Sequence, residues 1–144
     1  MKYTTIILYW AARLVAVIIL LQTLYFKFSG AEESVYIFTT IGMEPWGRIS
    51  VGILELAAAV MLLFNATAWL GSALALGLMF GAIGMHLTIL GISVNQDGGY
   101  LFFLAVVVSV CSAYVLWKNK DRIIALFKLG RAPVQANSKI QTRH

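Results

Sequence analysis

The sequence predicts an all-α fold, an integral membrane bundle of four transmembrane helices. Of its 144 residues, 60% are hydrophobic and only 12% are charged, whereas a soluble domain carries about 25% charged residues. A spanning helix needs about 20 apolar residues, so four spans would use roughly 80 residues and leave too few for a further domain. The composition excludes a disordered protein, a nucleic-acid-binding tail protein and a disulfide scaffold, and it disfavours a soluble enzyme.

The first span is predicted at about residues 4–28, an apolar run that contains Arg13 and Gln22. The apolar core of a signal peptide is shorter, at roughly 7–15 residues, and carries no charge. We therefore interpret this run as a transmembrane helix and not as a cleaved leader.

A short interfacial helix is predicted in the first outer loop. Ser29 and Glu32 have the spacing of a capping box, in which the side chains at the start of a helix bind its free N–H groups. Apolar side chains then recur at helical spacing at Val35, Phe38 and Ile41. The segment is too polar to span a bilayer, so we expect it to lie along the surface.

Three further spans are predicted at about residues 48–64, 68–91 and 100–117. Residues 1–117 would then form the transmembrane domain. Residues 118–144 would form a basic cytoplasmic segment, with an amphipathic interfacial helix over about residues 120–129 and a polar tail.

The charge distribution predicts the topology. From Lys118 onwards there are seven Lys or Arg residues and one acidic residue, Asp121. The positive-inside rule places such a segment in the cytoplasm. Four spans return the amino terminus to the same side, and the two loops that then fall outside carry four acidic residues: Glu32, Glu33, Glu44 and Asp97.

Polar side chains within the predicted spans are candidates for a functional site. A charge at the bilayer centre costs at least about 2.5–3.5 kcal/mol, so such residues are rare unless they have a role. The candidate pocket residues are Arg13, Gln22, Lys27, Arg48, Glu55 and His86.

Glu55 is the deepest acidic candidate. It lies nine residues after the interfacial Trp46, which is about 13 Å at 1.5 Å per residue. An unpaired carboxylate is costly there, so we expect Glu55 to point into the bundle and contact Arg13 or Lys27 of the first helix. A structural ion pair, a neutral hydrogen-bonded acid, and a ligand-binding or proton-transferring role all stay open.

Gln22 and His86 are expected at similar depths below the outer surface. With Glu55 they would line one outward-facing pocket, with Lys27 and Arg48 at its mouth. A quinone head group, an ion and water are all compatible ligands. His86 is the one histidine within the spans and Cys111 the one cysteine, so the sequence predicts no metal site and contains no haem or iron–sulfur motif.

Two further predictions concern packing. Arg13 is adjacent to aromatic residues and is also compatible with simple snorkelling to the cytoplasmic surface. In the third span, Gly77 and Gly81 belong to a stripe of small residues, which is typical of close helix–helix contacts in membranes. We expect these glycines to lie at such a contact.

Several of these residues carry a resemblance to the DoxX family of small bacterial membrane proteins. The similar segments are Arg13 followed by QTLYFKF at 22–28, GILEL at 52–56, EPWGR at 44–48 and HLTILG at 86–91, within about residues 8–117. The resemblance implies a four-helix bundle of the bacterial inner membrane. It also implies association with redox systems, such as thiosulfate–quinone oxidoreductase subunits and superoxide-detoxifying membrane complexes.

The functional hypothesis is an accessory subunit of a quinone-linked membrane redox system with a polar outward-facing pocket. The cofactor stays open, with a quinone as one candidate. The partners would be the lipid bilayer with other membrane subunits or further copies of the chain, but no nucleic acid. A proton- or solute-conducting protein and a purely structural subunit are the alternatives. The sequence leaves open whether any reaction is catalysed.

Overall fold

The computed structural model describes residues 2–130, which fold into six α-helices and one π-helical segment, with no strand among them. The helices are α1 (Lys2–Ser29), α2 (Glu32–Thr40), α3 (Trp46–Leu63), α4 (Ala68–Met85), α5 (Tyr100–Lys118) and α6 (Lys120–Gly130). The π segment, His86–Leu90, continues α4 directly. The all-α prediction is confirmed.

Four helical stretches are long and apolar enough to cross a membrane: α1, α3, α5, and α4 together with the π segment. Large apolar side chains cover their outer faces, as at Ile18, Phe103 and Val110, each more than 60% exposed. A soluble monomer rarely exposes apolar surface on this scale.

The four long helices form a closed ring. Both α1 and α4 pack against α3 and α5, so the order around the ring is α1, α3, α4, α5. The start of α1 and the end of α5 lie together, since Asn119 donates a 2.9 Å hydrogen bond to the Tyr9 hydroxyl. Arg122 of α6 donates to the carbonyl of Asn65 in the α3–α4 turn. We call this end of the bundle the termini end and the opposite end the loop end.

The half of the bundle nearer the termini end is tightly packed. Ala16, Ala58, Leu62, Val108 and Val115 are all essentially inaccessible to solvent. The close approach of α3 and α4 occurs at Gly71, where a Cβ atom would lie 2.8 Å from the carbonyl oxygen of Ala58 and the amide nitrogen of Leu62. Only glycine fits there.

The prediction for the glycine stripe is wrong. A Cβ atom at Gly77 or Gly81 would meet nothing within 4 Å, and both residues are exposed. The stripe lies on a different face of α4 from Gly71, six and ten residues further along, and this face borders a cavity. Small residues on that face therefore leave space open instead of allowing backbone contact.

The short helix α2 lies across the loop end and packs against α1, α3 and the π segment. Its buried side chains are Ser34 and Phe38. The predicted capping box is absent, because Ser29 belongs to α1 and its hydroxyl donates back to the Phe26 carbonyl. The cap position is Ala31, which makes no side-chain cap.

The last described element, α6, buries none of its side chains. The exposed apolar residues Ile124, Phe127 and Leu129 alternate with basic residues along it. The polar tail predicted beyond Gly130 lies outside the described residues.

The two kinds of glycine in α4 should respond differently to enlargement. Gly71→Leu should lower the folded yield in detergent and the unfolding temperature, because its side chain would overlap the α3 backbone. Gly81→Leu should leave both nearly unchanged, because the new side chain enters open space. Size-exclusion profiles and thermal unfolding of the two variants measure this, and equal losses would contradict the assignment.

Candidate ligand-binding site

A cavity of about 570 Å³ lies between the four long helices, in the half of the bundle nearer the loop end. This volume is within the range of about 300–1,000 Å³ usual for small-molecule sites. Its walls are mainly apolar, with α2 side chains above it. The exposed residues Glu33, Gly77, Gly81 and Tyr100 border it, so the cavity reaches the surface of the bundle.

Lys27 and Glu55 form an ion pair in this cavity. Lys27 Nζ lies 2.9 Å from Glu55 Oε2, and the two side chains are 14% and 3% exposed. Side chains lean toward the amino terminus of their helix. Because α1 and α3 run in opposite directions, the two side chains lean toward each other. The expected contact between Glu55 and a cation of the first helix is confirmed, with Lys27 as the partner.

Thr23 completes the surroundings of Glu55. It lies one turn before Lys27 on the same face of α1, and its hydroxyl donates to Glu55 Oε2 at 3.4 Å. The same hydroxyl lies closer, at 3.0 Å, to the carbonyl oxygen of Leu20, so Glu55 shares the single hydroxyl proton with the backbone, and Lys27 is the main donor to the carboxylate. Sequence analysis missed Thr23, although its spacing of four residues from Lys27 was the available signal.

His86 lines the same cavity closer to the loop end. It is the first residue of the π segment and is 5% exposed. Its Nδ1 lies 2.8 Å from the carbonyl oxygen of Gly91. The ring meets Phe102 of α5 edge-on, with 5.7 Å between the ring centres. Single-turn π-helices often occur at functional sites, and this one directs the imidazole into the bundle.

Asp97 organises the loop between the π segment and α5. Its Oδ1 accepts from the amides of Val94 and Gly99, and its Oδ2 accepts from the amide of Leu101, all at 2.8–3.0 Å. Partial burial acts to raise the pKa of Asp97, but these backbone hydrogen bonds outweigh it and the net pKa is lowered. The carboxylate thus stays ionised and holds the loop beside the cavity. Its place in the cavity wall was not foreseen.

Gln22 does not line the cavity. Its side chain is exposed and donates a 3.0 Å hydrogen bond to the hydroxyl of Tyr100, which does line it. The depth of Gln22 along α1 did not determine which way its side chain faces. Each step of one residue turns the side chain by about 100° around the helix axis. Thr23, the next residue, takes the inward position.

Arg13 lies at the termini end, away from the cavity. Its side chain is fully buried, and its Nε donates to the Leu62 carbonyl at 2.6 Å. Its Nη1 donates to the side chain of Asn65, and its guanidinium lies 3.9 Å from the ring centre of Trp10. Arg13 therefore binds the free carbonyl end of α3 and does not snorkel away from the bundle.

Arg48 also lies outside the cavity lining. Its Nη2 is 2.7 Å from Glu44 Oε1, and its Nη1 donates to the carbonyl of Lys27. It joins the start of α3 to the end of α1. Of the six candidate residues, the structure brings Lys27, Glu55 and His86 together and places Arg13, Gln22 and Arg48 elsewhere.

No cluster of three or more His, Cys, Asp or Glu side chains that could hold a metal ion occurs among residues 2–130. The polar groups of the cavity include a paired cation and anion at its base and, nearer the loop end, the side chains of Glu33, His86, Asp97 and Tyr100. Such an arrangement suits hydrogen bonding to a neutral, partly polar molecule.

Removing one charge of the buried ion pair should destabilise the protein more than removing both. Glu55→Gln should be tolerated, because the amide still accepts hydrogen bonds from Lys27 and Thr23. Glu55→Leu should lower the free energy of unfolding by about 3 kcal/mol, because Lys27 loses its partner. The double variant Lys27→Met with Glu55→Leu should recover much of this loss. Thermal unfolding in detergent measures the series, and a double variant no more stable than Glu55→Leu would contradict it.

No known family model matches the chain, and no curated protein or solved structure matches it either. The resemblance to the DoxX family therefore stays a prediction from short sequence segments. The geometry of the cavity is the evidence on which a function can be argued.

Proposed function

We propose that the chain is a multi-pass protein of the bacterial inner membrane, with its termini end in the cytoplasm and its cavity facing outward. The four apolar helices and the apolar exterior support membrane insertion. Basic residues concentrate at the termini end, where α6 and Lys118 lie. Acidic residues concentrate in the loop-end segments, and this asymmetry follows the positive-inside rule.

The cavity binds an isoprenoid quinone. The observation that carries this proposal is an apolar cavity within the membrane-spanning region that ends at a buried ion pair and an imidazole. A quinone head group is an uncharged ring with polar oxygen atoms, and its tail is hydrocarbon. Apolar walls such as Leu78 and Leu104 suit the ring and tail, and Lys27 has donors beyond the one that meets Glu55.

The protein acts as an accessory subunit of a quinone-linked redox system. The DoxX resemblance of segments 22–28 and 52–56 supports this assignment. With a single cysteine, Cys111, the chain has no dithiol of its own. Electrons would therefore pass between the bound quinone and a partner subunit in the membrane.

The conducting alternative is disfavoured by the packing. Between the cavity and the termini end the interior is filled by buried apolar side chains, including Ala16, Leu62 and Val115. The buried polar residues that the structure describes in this region are few, namely Arg13, Ser72, Ser109 and Ser112, and the hydroxyls of Ser72 and Ser109 donate to carbonyls of their own helices, which favours packing over conduction. The purely structural alternative remains distinguishable by experiment, because it predicts that lipid alone occupies the cavity.

Filling the cavity should remove the quinone. Ala82→Phe places a ring in the cavity wall, so we expect at least a tenfold loss of quinone copurified in mild detergent. Ala73→Phe is the matched control, since Ala73 is an exposed residue of the same helix outside the lining. Extraction and mass spectrometry per mole of protein measure the quinone. Its absence from the unaltered protein, or equal retention in both variants, would contradict the proposal.

Reporter fusions test the topology. We expect a fusion after residue 144 to be active as a cytoplasmic reporter, and an insertion between Gly30 and Glu32 to be active as a periplasmic one. A periplasmic carboxy terminus would reject the proposed orientation.

A further inference from the structure

The hydrogen bond to Gly91 fixes the protonation pattern of the neutral His86 ring. A backbone carbonyl oxygen can only accept, so the ring nitrogen 2.8 Å away, Nδ1, carries the proton. Nε2 then has a free lone pair when the ring is neutral. Turning the ring over would place a carbon atom against Gly91, and the edge contact with Phe102 holds the ring plane.

Nε2 has no hydrogen-bond partner among residues 2–130. The side chain is nevertheless 95% buried and forms part of the cavity wall. Nε2 is not among the enclosed polar atoms that lack a partner in residues 2–130, which are Arg13 Nη2 and Ser112 Oγ. It is therefore accessible from the cavity, where a ligand donor can pair with it.

The charged groups that share the cavity leave this position free. Asp97 is near enough to act electrostatically on His86, but its two oxygens are occupied by three backbone amides. Glu33 lines the cavity from α2 without a hydrogen bond to the ring, and Lys27 is paired with Glu55 at the base. None of them supplies a donor to Nε2.

A head group can lie in the part of the cavity between His86 and Glu55. Counted along α3 and α4 from their common turn, the two backbones differ in depth by about 15 Å at 1.5 Å per residue. The Glu55 side chain leans toward the loop end, because side chains tilt toward the amino terminus of their helix. The His86 ring, whose Nδ1 reaches the Gly91 carbonyl, lies on the loop-end side of the same cavity. A ring between them would meet Lys27, a donor, on one side and Nε2, an acceptor, on the other.

We propose that His86 Nε2 accepts a hydrogen bond from a ligand hydroxyl, so that the cavity prefers a hydroquinone to the corresponding quinone. This inference rests on the proposed quinone site and adds the redox form that the site selects. A quinone carbonyl offers Nε2 a second lone pair and no proton, whereas the hydroquinone O–H donates to it.

Binding of three matched probes tests the preference. The full chain is placed in nanodiscs of phosphatidylethanolamine and phosphatidylglycerol, without oxygen, and titrated with 2-decyl-1,4-benzoquinone, its hydroquinone or the hydroquinone dimethyl ether. Binding is followed by the rise in unfolding temperature with the ratio of probe to lipid. We expect the hydroquinone to bind about tenfold more tightly than the quinone and the ether.

His86→Asn is the decisive variant. The asparagine amide N–H lies where Nδ1–H does, so the bond to Gly91 and the fold are kept while Nε2 is removed. We expect the hydroquinone preference to fall to about one. Thr88→Val, in the same π segment but exposed and outside the cavity lining, should keep the preference.

The outcomes separate this inference from the function on which it rests. Equal binding of the three probes, or a preference that survives His86→Asn, overturns the inference and leaves the quinone site standing. Failure of all three probes to bind overturns the proposed function and the inference together.

Nitrogen NMR gives a second readout that does not depend on the probes. In protein labelled with ¹⁵N at histidine, the signals lost in His86→Asn should show a protonated Nδ1 and an unprotonated Nε2 in the absence of probe. A proton on Nε2 would overturn the inference.

Discussion

The pairing of Lys27 with Glu55 is the contact on which the loop-end half of the molecule depends. A carboxylate in the middle of a helix with 3% exposure has no water to solvate it, so its donors must come from a neighbouring helix. Lys27 and Thr23 supply them from a single face of α1. Because both charges are present, the cavity base is polar without carrying net charge, which favours a neutral ligand over an ion.

The same constraint is met only in part at the termini end, where the buried Nη2 of Arg13 has no hydrogen-bond partner among the described residues. Arg13 is also fully buried, but it pairs with the carbonyl of Leu62 and the side chain of Asn65 and not with an acid. Arg13 and Lys27 are 14 residues apart, about 21 Å along α1, and each joins α1 to α3 or its following turn. With Arg48 donating to the end of α1, the α1–α3 pair is tied at three levels. The cavity is therefore bordered by a helix pair that is held together along its length.

The sequence predicted the composition of the spans and the depth of Glu55 correctly. It predicted less well which side of a helix a given side chain faces. Counting from Trp46 placed Glu55 deep within its helix and in need of a cation, and the structure supplies one. It did not determine that Thr23, and not Gln22, faces inward, because a difference of one residue turns the side chain by about 100°. That orientation depends on helix order and packing, neither of which can be derived from one amphipathic pattern on helices that are apolar on nearly every side.

The glycines of α4 show why a residue pattern can have two opposite meanings. Small residues permit a neighbouring backbone to approach, as at Gly71, but they equally leave a gap where no neighbour comes, as at Gly77 and Gly81. The capping box failed for a related reason: Ser29 is the last residue of α1, where its hydroxyl donates to the carbonyl of Phe26, and the cap position of α2 is Ala31. In both cases the local pattern was compatible with two structures, and tertiary packing selected between them.

The π segment links backbone geometry to the chemistry of the cavity. An extra residue in the last turn of a helix changes the direction of the side chains there, and the chain then turns at Gly91, whose φ of +80° is accessible to glycine without strain. The turn presents the Gly91 carbonyl to His86 Nδ1. This hydrogen bond, made at the end of the helix, thereby determines that Nε2 is the nitrogen of the neutral ring that is left as an acceptor. Together with the Lys27 donor below, it gives the cavity two ends of opposite hydrogen-bonding character, which would orient a ligand that carries one donor and one acceptor.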